Sequence, residues 1–387
     1  MTKLGFDRKR LAAIDPFLND RYVKTGRLPG TLSLVARHGE IAHLGVTGMA
    51  DVERKKPLAE DTIFRIYSMT KPLTSVAFMM LVEEGKVSLD QPVHRYIPAW
   101  KDMGVFKAGT AKTGFMTTPT SGPMRIVDLL RHTSGLTYGF QNRTNVDAAY
   151  RSARIGEIEK AGTLDTMIAD LAKIPLEFSP GTAWNYSVAT DILGYLIGVI
   201  SGQKFEDFLQ QRIFGPLGMT DTAFHVSEDK LNRFTECYSI GADGKLAAAI
   251  QGWPTFKAAP AAPSGGGGLV STMADYLRFC ELLRRGGELD GVRLLGPKTL
   301  QLMRSNHLPG QKDLNDVSVS MFAESIYSGV GFGLGFAMTT DVAKTGLAGS
   351  LGEYWWGGMA STAFWIDPVE DLSVVFFTQL IPSSLYP

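Results

Sequence analysis

The stretch Ile66-Tyr-Ser68-Met-Thr-Lys71-Pro72-Leu-Thr-Ser-Val-Ala-Phe-Met-Met-Leu-Val-Glu-Glu84 decides how the rest of the chain is read. From Pro72 to Glu84 it is apolar on nearly every side, through Leu73, Val76, Ala77, Phe78, Met79, Met80, Leu81 and Val82. A helix that is hydrophobic all round belongs in the middle of a protein. Pro72 falls in the first turn, where proline costs little, and Gly85 is a reasonable stop. Just ahead of this helix, Ser68 and Lys71 stand at i and i+3, so the amine can reach the hydroxyl. A serine hydroxyl is a poor nucleophile until a base takes its proton. A lysine takes it when burial or a nearby cation lowers its pKa, and the helix N-terminus adds a positive dipole.

The same serine–lysine spacing recurs at Ser201/Lys204 and Ser227/Lys230. The first of these follows a helix and sits in a turn, and the second is a polar surface stretch. Only Ser68/Lys71 joins a strand end, Thr62–Ile66, to a buried helix. That context marks Ser68 as a candidate nucleophile and Lys71 as its partner. The bland alternative is a surface serine capping a helix.

Outward from this point, residues 6–26 read as an amphipathic helix. Thr31–Ala36 and Glu40–Val46 read as two strands joined by a turn at Arg37-His-Gly39. Residues 90–225 read as mostly helical, with helices at Met124–His132, Leu164–Lys173, Thr190–Ser201 and Phe205–Ile213. The Gly-, Thr- and Lys-rich stretch 102–122 reads as a mobile surface loop. It and the 309–327 stretch are expected to set the pocket volume. Ser264-Gly-Gly-Gly-Gly268 reads as hinge-like, and Thr272-Met-Ala-Asp275 as a capping box opening a helix through Leu283. Gly331–Phe336, Met359–Ile366 and Leu372–Phe377 read as strands, the last two as a hairpin. The expected fold class is therefore α/β (α+β): one antiparallel sheet built from both chain ends and flanked by helices, with an inserted, mainly helical domain. The expected division is 1–88 and 195–387 as two parts of an α/β domain, with 89–194 as the helical part.

Two further segments could carry chemistry. Ser179-Pro-Gly-Thr-Ala-Trp-Asn-Tyr186-Ser187 fixes a phenol on a rigid loop before a helix, where Tyr186 could act as a general base near Lys71. Trp355-Trp356-Gly357-Gly358-Met359-Ala360 places two glycines in a strand, allowing close backbone approach and an N–H for an oxyanion. In isolation each also reads as ordinary packing. Other signals are missing. There is no P-loop and no glycine–x–serine–x–glycine elbow; the nearest, Ala348-Gly-Ser-Leu-Gly352, lacks the first glycine. The six histidines show no metal-ligand spacing. A Ser-His-Asp triad using His132 stays formally open beside its reading as a turn residue.

Composition narrows the class further. A chain of 387 residues that is 44% hydrophobic is too apolar for disorder and long enough for a sizeable core. Its 39 basic and 39 acidic side chains cancel, which argues against nucleic acid as a partner. No apolar run is long enough to span a membrane. The polar start, Met1-Thr-Lys-Leu-Gly-Phe-Asp-Arg-Lys-Arg10, lacks the apolar stretch of a leader, so the expected location is cytoplasmic. Cys237 and Cys280 read as buried small hydrophobes rather than as a disulfide scaffold.

Taken in order, these motifs resemble the serine β-lactamase and penicillin-binding-protein fold. The closest branch looks like the family VIII carboxylesterases, which resemble class C β-lactamases. The resemblance covers nearly the whole chain. It rests on Ser68-Met-Thr-Lys71, Leu130-Arg-His-Thr-Ser-Gly-Leu136, Pro180-Gly-Thr-Ala-Trp-Asn-Tyr186-Ser187, Ile213-Phe-Gly-Pro-Leu-Gly-Met219, the Gly265–Thr272 run and Trp356-Gly-Gly358. It implies that Ser68 is acylated, that Lys71 and Tyr186 relay its proton, and that the Ser68 and Met359 backbone N–H groups form the oxyanion hole. Trp356, Gly357, Gly358 and Val188 would line the substrate site. Val188 stands where class C enzymes carry an asparagine, and Trp356-Gly357-Gly358 where they carry Lys-Thr-Gly. Exchanging a cation for an indole favours neutral short-chain or aromatic esters over carboxylate-bearing β-lactams. The resemblance thus implies a serine carboxylesterase acting on a small-molecule ester, with weak β-lactamase side activity compatible with it and no metal or organic cofactor. An acyltransferase on the same fold and a non-catalytic penicillin-binding-like module are the alternatives, and a homo-oligomer is left open.

Overall fold

The computed structural model describes residues 2–159, 162–248, 254–320 and 327–386. Residues 321–326 of the 309–327 stretch thus lie outside the described residues. The central sheet runs Val330–Phe332, Ala337–Thr339, Tyr354–Gly358, Thr362–Asp367, Leu372–Phe377, Gly30–Arg37, Glu40–Asp51, Lys56–Pro57, with antiparallel neighbours throughout. The two chain ends meet where Leu32 faces Phe377 and Leu34 faces Val375. The period-two pattern explains this register. Leu32, Leu34 and Ala36 share one buried face with Val375, Phe377, Phe364 and Ile366, and a slip by one residue would turn that set to the other side. The turn at His38–Gly39 has φ of 55° and 78°, the left-handed pair that suits a two-residue hairpin.

The helix Met273–Arg284 covers the inner face of the sheet, its Tyr276 ring 5.3 Å from Phe364 and 6.2 Å from Phe377. Beyond it runs the helix Thr70–Glu83, buried from Thr70 to Leu81, which packs against the helix Ala189–Ser201. Its all-round apolar sequence is thus matched by all-round burial. Among the described residues no helix is long and apolar enough to cross a membrane.

Several local expectations need correcting. The 102–122 stretch is not an irregular loop. It forms a hairpin, Val105–Thr110 with Gly114–Thr118, on which Phe106 and Phe115 pack edge to face. Its β-branched threonines and cross-strand aromatics outweigh the glycines. The 264–268 run is not a hinge: every residue in it is buried. Thr272 does cap its helix by accepting from the Asp275 N–H, but the Asp275 carboxylate turns away, accepting from the Asp221 N–H and the Thr222 hydroxyl. The strand expected at Met359–Ile366 begins only at Thr362, after Met359–Ser361 make the turn from Tyr354–Gly358.

Candidate active site

Ser68 lies in the short 3-10 turn Tyr67–Met69 that leads into the buried helix. Tyr67, just before it, has φ of 41°, a region where a bulky side chain is strained. Its ring is held edge to face against Phe256 at 5.6 Å, so packing sustains a conformation that local preference disfavours. The result is a sharp corner between the strand Phe64–Arg65 and the helix, with the Ser68 hydroxyl at its apex.

One helical turn on, Lys71 is 2% exposed, and among the described residues its Nζ donates to Gly266 O at 2.7 Å, Tyr138 Oη at 3.1 Å and Ser68 Oγ at 3.3 Å. It also lies 4.5 Å from the centre of the Tyr186 ring. The Tyr186 hydroxyl donates to Ser68 Oγ at 2.7 Å. Hydroxyl, amine and phenol, read from two segments more than a hundred residues apart, therefore share one buried cluster. In such a setting a proton can pass between serine, lysine and tyrosine without crossing bulk water.

Tyr186 is held on all sides by aromatic rings: Trp184 stacked at 6.3 Å, Trp356 at 5.5 Å, Tyr138 at 5.3 Å and His132 at 5.1 Å. The carbonyl of Tyr186 accepts from Gln141 Nε2 at 2.6 Å. His132 Nδ1 lies 3.2 Å from Ser187 Oγ, and its ring packs on Tyr186 and Phe332 rather than reaching Ser68. Burial, helped by the Lys71 charge, holds its pKa well below the ordinary histidine value, so the imidazole is neutral. The histidine arrangement left open by the sequence therefore has no hydrogen-bonded link from His132 to the serine among the described residues.

The strand Tyr354–Gly358 ends against the corner. A Cβ on Gly358 would lie 2.4 Å from Ile66 O, a distance no side chain tolerates, so glycine is what allows the approach. Thr362 Oγ1 donates to the same carbonyl at 3.4 Å. Met359 follows directly. Among the described residues no carbonyl outside its own helix or strand accepts from the Ser68 or the Met359 N–H. Along the strand, Trp356 and Gly358 face the corner. Gly357 faces the opposite side of the sheet, where a cavity of about 490 Å³ is bordered by Phe17, Tyr22, Phe376 and Tyr386. Trp356 is 1% exposed, so its indole meets the site through the Tyr186 ring. Val188 is buried beside Gly156, where a Cβ would lie 2.6 Å from its Cγ1.

Two members of the cluster escaped the sequence reading. Tyr138 is a lone tyrosine two residues past Leu130–Leu136, with no spacing to mark it. Asp191 is five residues past Tyr186, in the first turn of its helix, and reads there as an ordinary N-terminal acid. Phe140, 45% exposed, stacks on Tyr138 at 4.7 Å and gives this side an apolar outer surface. A separate cavity of about 600 Å³ under the 105–118 hairpin touches none of these residues.

The chain is similar to known proteins over nearly its whole length. The beta-lactamase family profile matches residues 18–384. Esterase EstB of Burkholderia gladioli is 30% identical over 394 residues, covering 98% of this chain and 93% of that protein. Protein Rv1367c of Mycobacterium tuberculosis is 35% identical over 360 residues, covering 92% and 87%. Among solved structures, EstCE1, a hydrolase with promiscuous acyltransferase activity, superposes with a TM-score of 0.81 at 27% identity, covering 96% of this chain and 94% of that one. Simvastatin synthase (LovD) from Aspergillus terreus gives 0.79 at 25% identity, covering 96% and 93%. The chain belongs to the beta-lactamase family, in the family VIII esterase branch that its motifs resemble.

Proposed function

We propose that the protein is a serine carboxylesterase that cleaves short-chain or aromatic esters through an acyl-enzyme on Ser68. The observation that carries this reading is the contact of Ser68 Oγ with both Tyr186 Oη, at 2.7 Å, and Lys71 Nζ, at 3.3 Å, inside a buried cluster. Ser68 Oγ attacks the ester carbonyl as its proton passes to the Lys71–Tyr186 pair. The developing oxyanion is held by the Ser68 and Met359 N–H groups. The pair returns the proton to the departing alcohol, then takes one from the water that cleaves the acyl-enzyme. Gly358 brings the Met359 N–H to the corner, Trp356 backs the Tyr186 ring, and Val188 supports the wall behind Tyr138. The apolar surroundings, with an indole where related lactamases carry lysine, favour neutral esters over carboxylate-bearing β-lactams and leave lactam hydrolysis weak.

A second reading has a specific support. EstCE1 and LovD, both similar over nearly the whole chain, are respectively a hydrolase with promiscuous acyltransferase activity and a synthase. The same acyl-enzyme passes its acyl group to an alcohol whenever the alcohol outcompetes water. The exposed Phe140 ring stacked on Tyr138 offers an apolar seat for one. A non-catalytic module is disfavoured because serine, lysine and tyrosine are all retained and in contact. Residues 89–194, whose described residues contribute no strand to the central sheet, are read as the helical part inserted into the α/β domain. The free, buried thiols Cys237 and Cys280 fit a reducing, cytoplasmic setting. The experiment that tests the function is hydrolysis of p-nitrophenyl acetate and butyrate, with and without a competing alcohol. Loss of p-nitrophenol release in a folded Ser68→Ala variant supports the reading, and unchanged release refutes it.

A further inference from the structure

Asp191 is 2% exposed and takes no part in the steps above. Its Oδ1 accepts from the Ser264 hydroxyl at 2.6 Å and from the Gly266 N–H at 3.0 Å. Its Oδ2 is buried with no hydrogen-bond partner among the described residues. A buried carboxylate with half its lone pairs unsatisfied is costly to keep. Its place in the fold suggests what it supplies.

Gly266 is the link. Its N–H faces Asp191, and its carbonyl accepts from Lys71 Nζ at 2.7 Å. A Cβ at this position would lie 2.7 Å from Asp191 Oδ2 and 2.8 Å from Tyr138 Oη, so only glycine fits between the carboxylate and the phenol. The rest of the run is tied to the buried helix: Thr74 Oγ1 donates to Gly265 O at 2.8 Å, and the Leu269 N–H donates to Thr70 Oγ1 at 3.1 Å. The backbone that meets Lys71 is thus clamped from two helices, and Asp191 is the clamp on the second.

Among the described residues, the titratable groups around Lys71 are Tyr138 from its loop, Tyr186 and, behind it, His132, and Asp191 across Gly266. His132 is neutral. Asp191 is the acid of this set. Burial pushes its carboxyl up, while the Ser264 hydroxyl and the Lys71 charge pull it back.

We propose that Asp191 is a positioning residue that fixes the Gly266 carbonyl on Lys71 and whose negative charge sets the pH at which the amine sheds its proton to become a base. This rests on the esterase reading, which supplies the assay. A negative charge nearby stabilises the ammonium, so removing it lets the proton leave at lower pH.

The test compares the full-length wild type with Asp191→Asn and Asp191→Ala. For each, kcat/KM on p-nitrophenyl butyrate and the rate of fluorophosphonate labelling are followed from pH 5 to 10. Both variants are expected to move the acid limb of both profiles down by about one pH unit, the usual effect of a nearby opposite charge. Asp191→Ala, which also frees Gly266, is expected to lose more kcat than Asp191→Asn, whose amide oxygen still accepts from Gly266. An Asp191→Asn profile with the wild-type acid limb overturns the proposal while leaving the esterase reading intact. A wild type that neither hydrolyses the ester nor labels removes the reading itself, and this inference with it. If Asp191→Asn does not fold, Asp191→Ser removes the same charge from a smaller side chain and is read in the same way.

Discussion

The Tyr186 hydroxyl donates to Ser68 Oγ at 2.7 Å, although the two residues come from segments 118 positions apart. The phenol reaches the serine because Tyr186 is packed among the rings of Trp184, Trp356, Tyr138 and His132, while Ser68 is raised on a strained corner. Removing the hydroxyl while keeping the ring isolates its chemical part. Tyr186→Phe is expected to lower kcat on p-nitrophenyl butyrate by about 10²–10⁴-fold, the usual worth of a general acid or base, with little change in thermal midpoint. Lys71→Ala should fall in the same range. Steady-state kinetics alongside a melting curve checks both; a variant that melts early but turns over normally would assign Tyr186 to packing alone.

Gly358 makes a sharper steric prediction. Its missing Cβ leaves room for Ile66 O, and Gly358→Ala would force the strand end away from the serine corner. If the Met359 N–H binds the oxyanion, kcat should drop by about 10²–10³-fold, as when one such donor is lost. The far-ultraviolet circular dichroism spectrum should stay that of the wild type. Turnover close to the wild type would place the second donor elsewhere.

Trp356 is buried against Tyr186 and Phe332, at 5.5 and 5.3 Å. Truncation to alanine leaves a cavity under the phenol and is expected to cost about 3–5 kcal/mol of stability. Turnover should fall together with the urea midpoint. Trp356→Phe, which keeps an aromatic ring behind Tyr186, should recover most of both. Equal losses in the two variants would contradict the supporting role.

His132 gives a pH dependence of stability rather than of rate. Its folded pKa lies well below the ordinary 6.5, so the folded state binds its proton less readily than the unfolded chain. Stability from this group is therefore fully present above pH 6.5 and is lost as pH falls from there toward the depressed folded value. Thermal midpoints between pH 4 and 8 should show a steeper acid decline in the wild type than in His132→Gln. Parallel curves would mean that the imidazole is not the acid-sensitive group.

The parts of the fold that were legible rest on short-range patterns. Leu32, Leu34 and Ala36 alternate along their strand, and Val375 with Phe377 along theirs, so these two central strands are legible without their pairing. The helix Thr70–Glu83 was legible because its stretch from Pro72 to Leu81 carries no charged side chain. The 105–118 hairpin was misread because its glycines and lysines look like a loop, while its stabilising contact, Phe106 on Phe115, lies across the strands. The glycine run 264–268 looked like a hinge because its tethers, Thr74 and Asp191, lie far away in sequence. Of the site, Ser68, Lys71 and Tyr186 carried motif spacing. Tyr138 and Asp191 did not, because their partners lie 67 and 75 positions off and no local pattern encodes such contacts.

The central claim is that Ser68 is the group that becomes acylated. Incubation of the intact protein with a fluorophosphonate, followed by peptide mass spectrometry, tests it most directly. The account predicts a single adduct on the peptide carrying Ser68, formed far more slowly in Lys71→Ala and absent in Ser68→Ala. An adduct on any other serine, or undiminished labelling of Ser68→Ala, would contradict it.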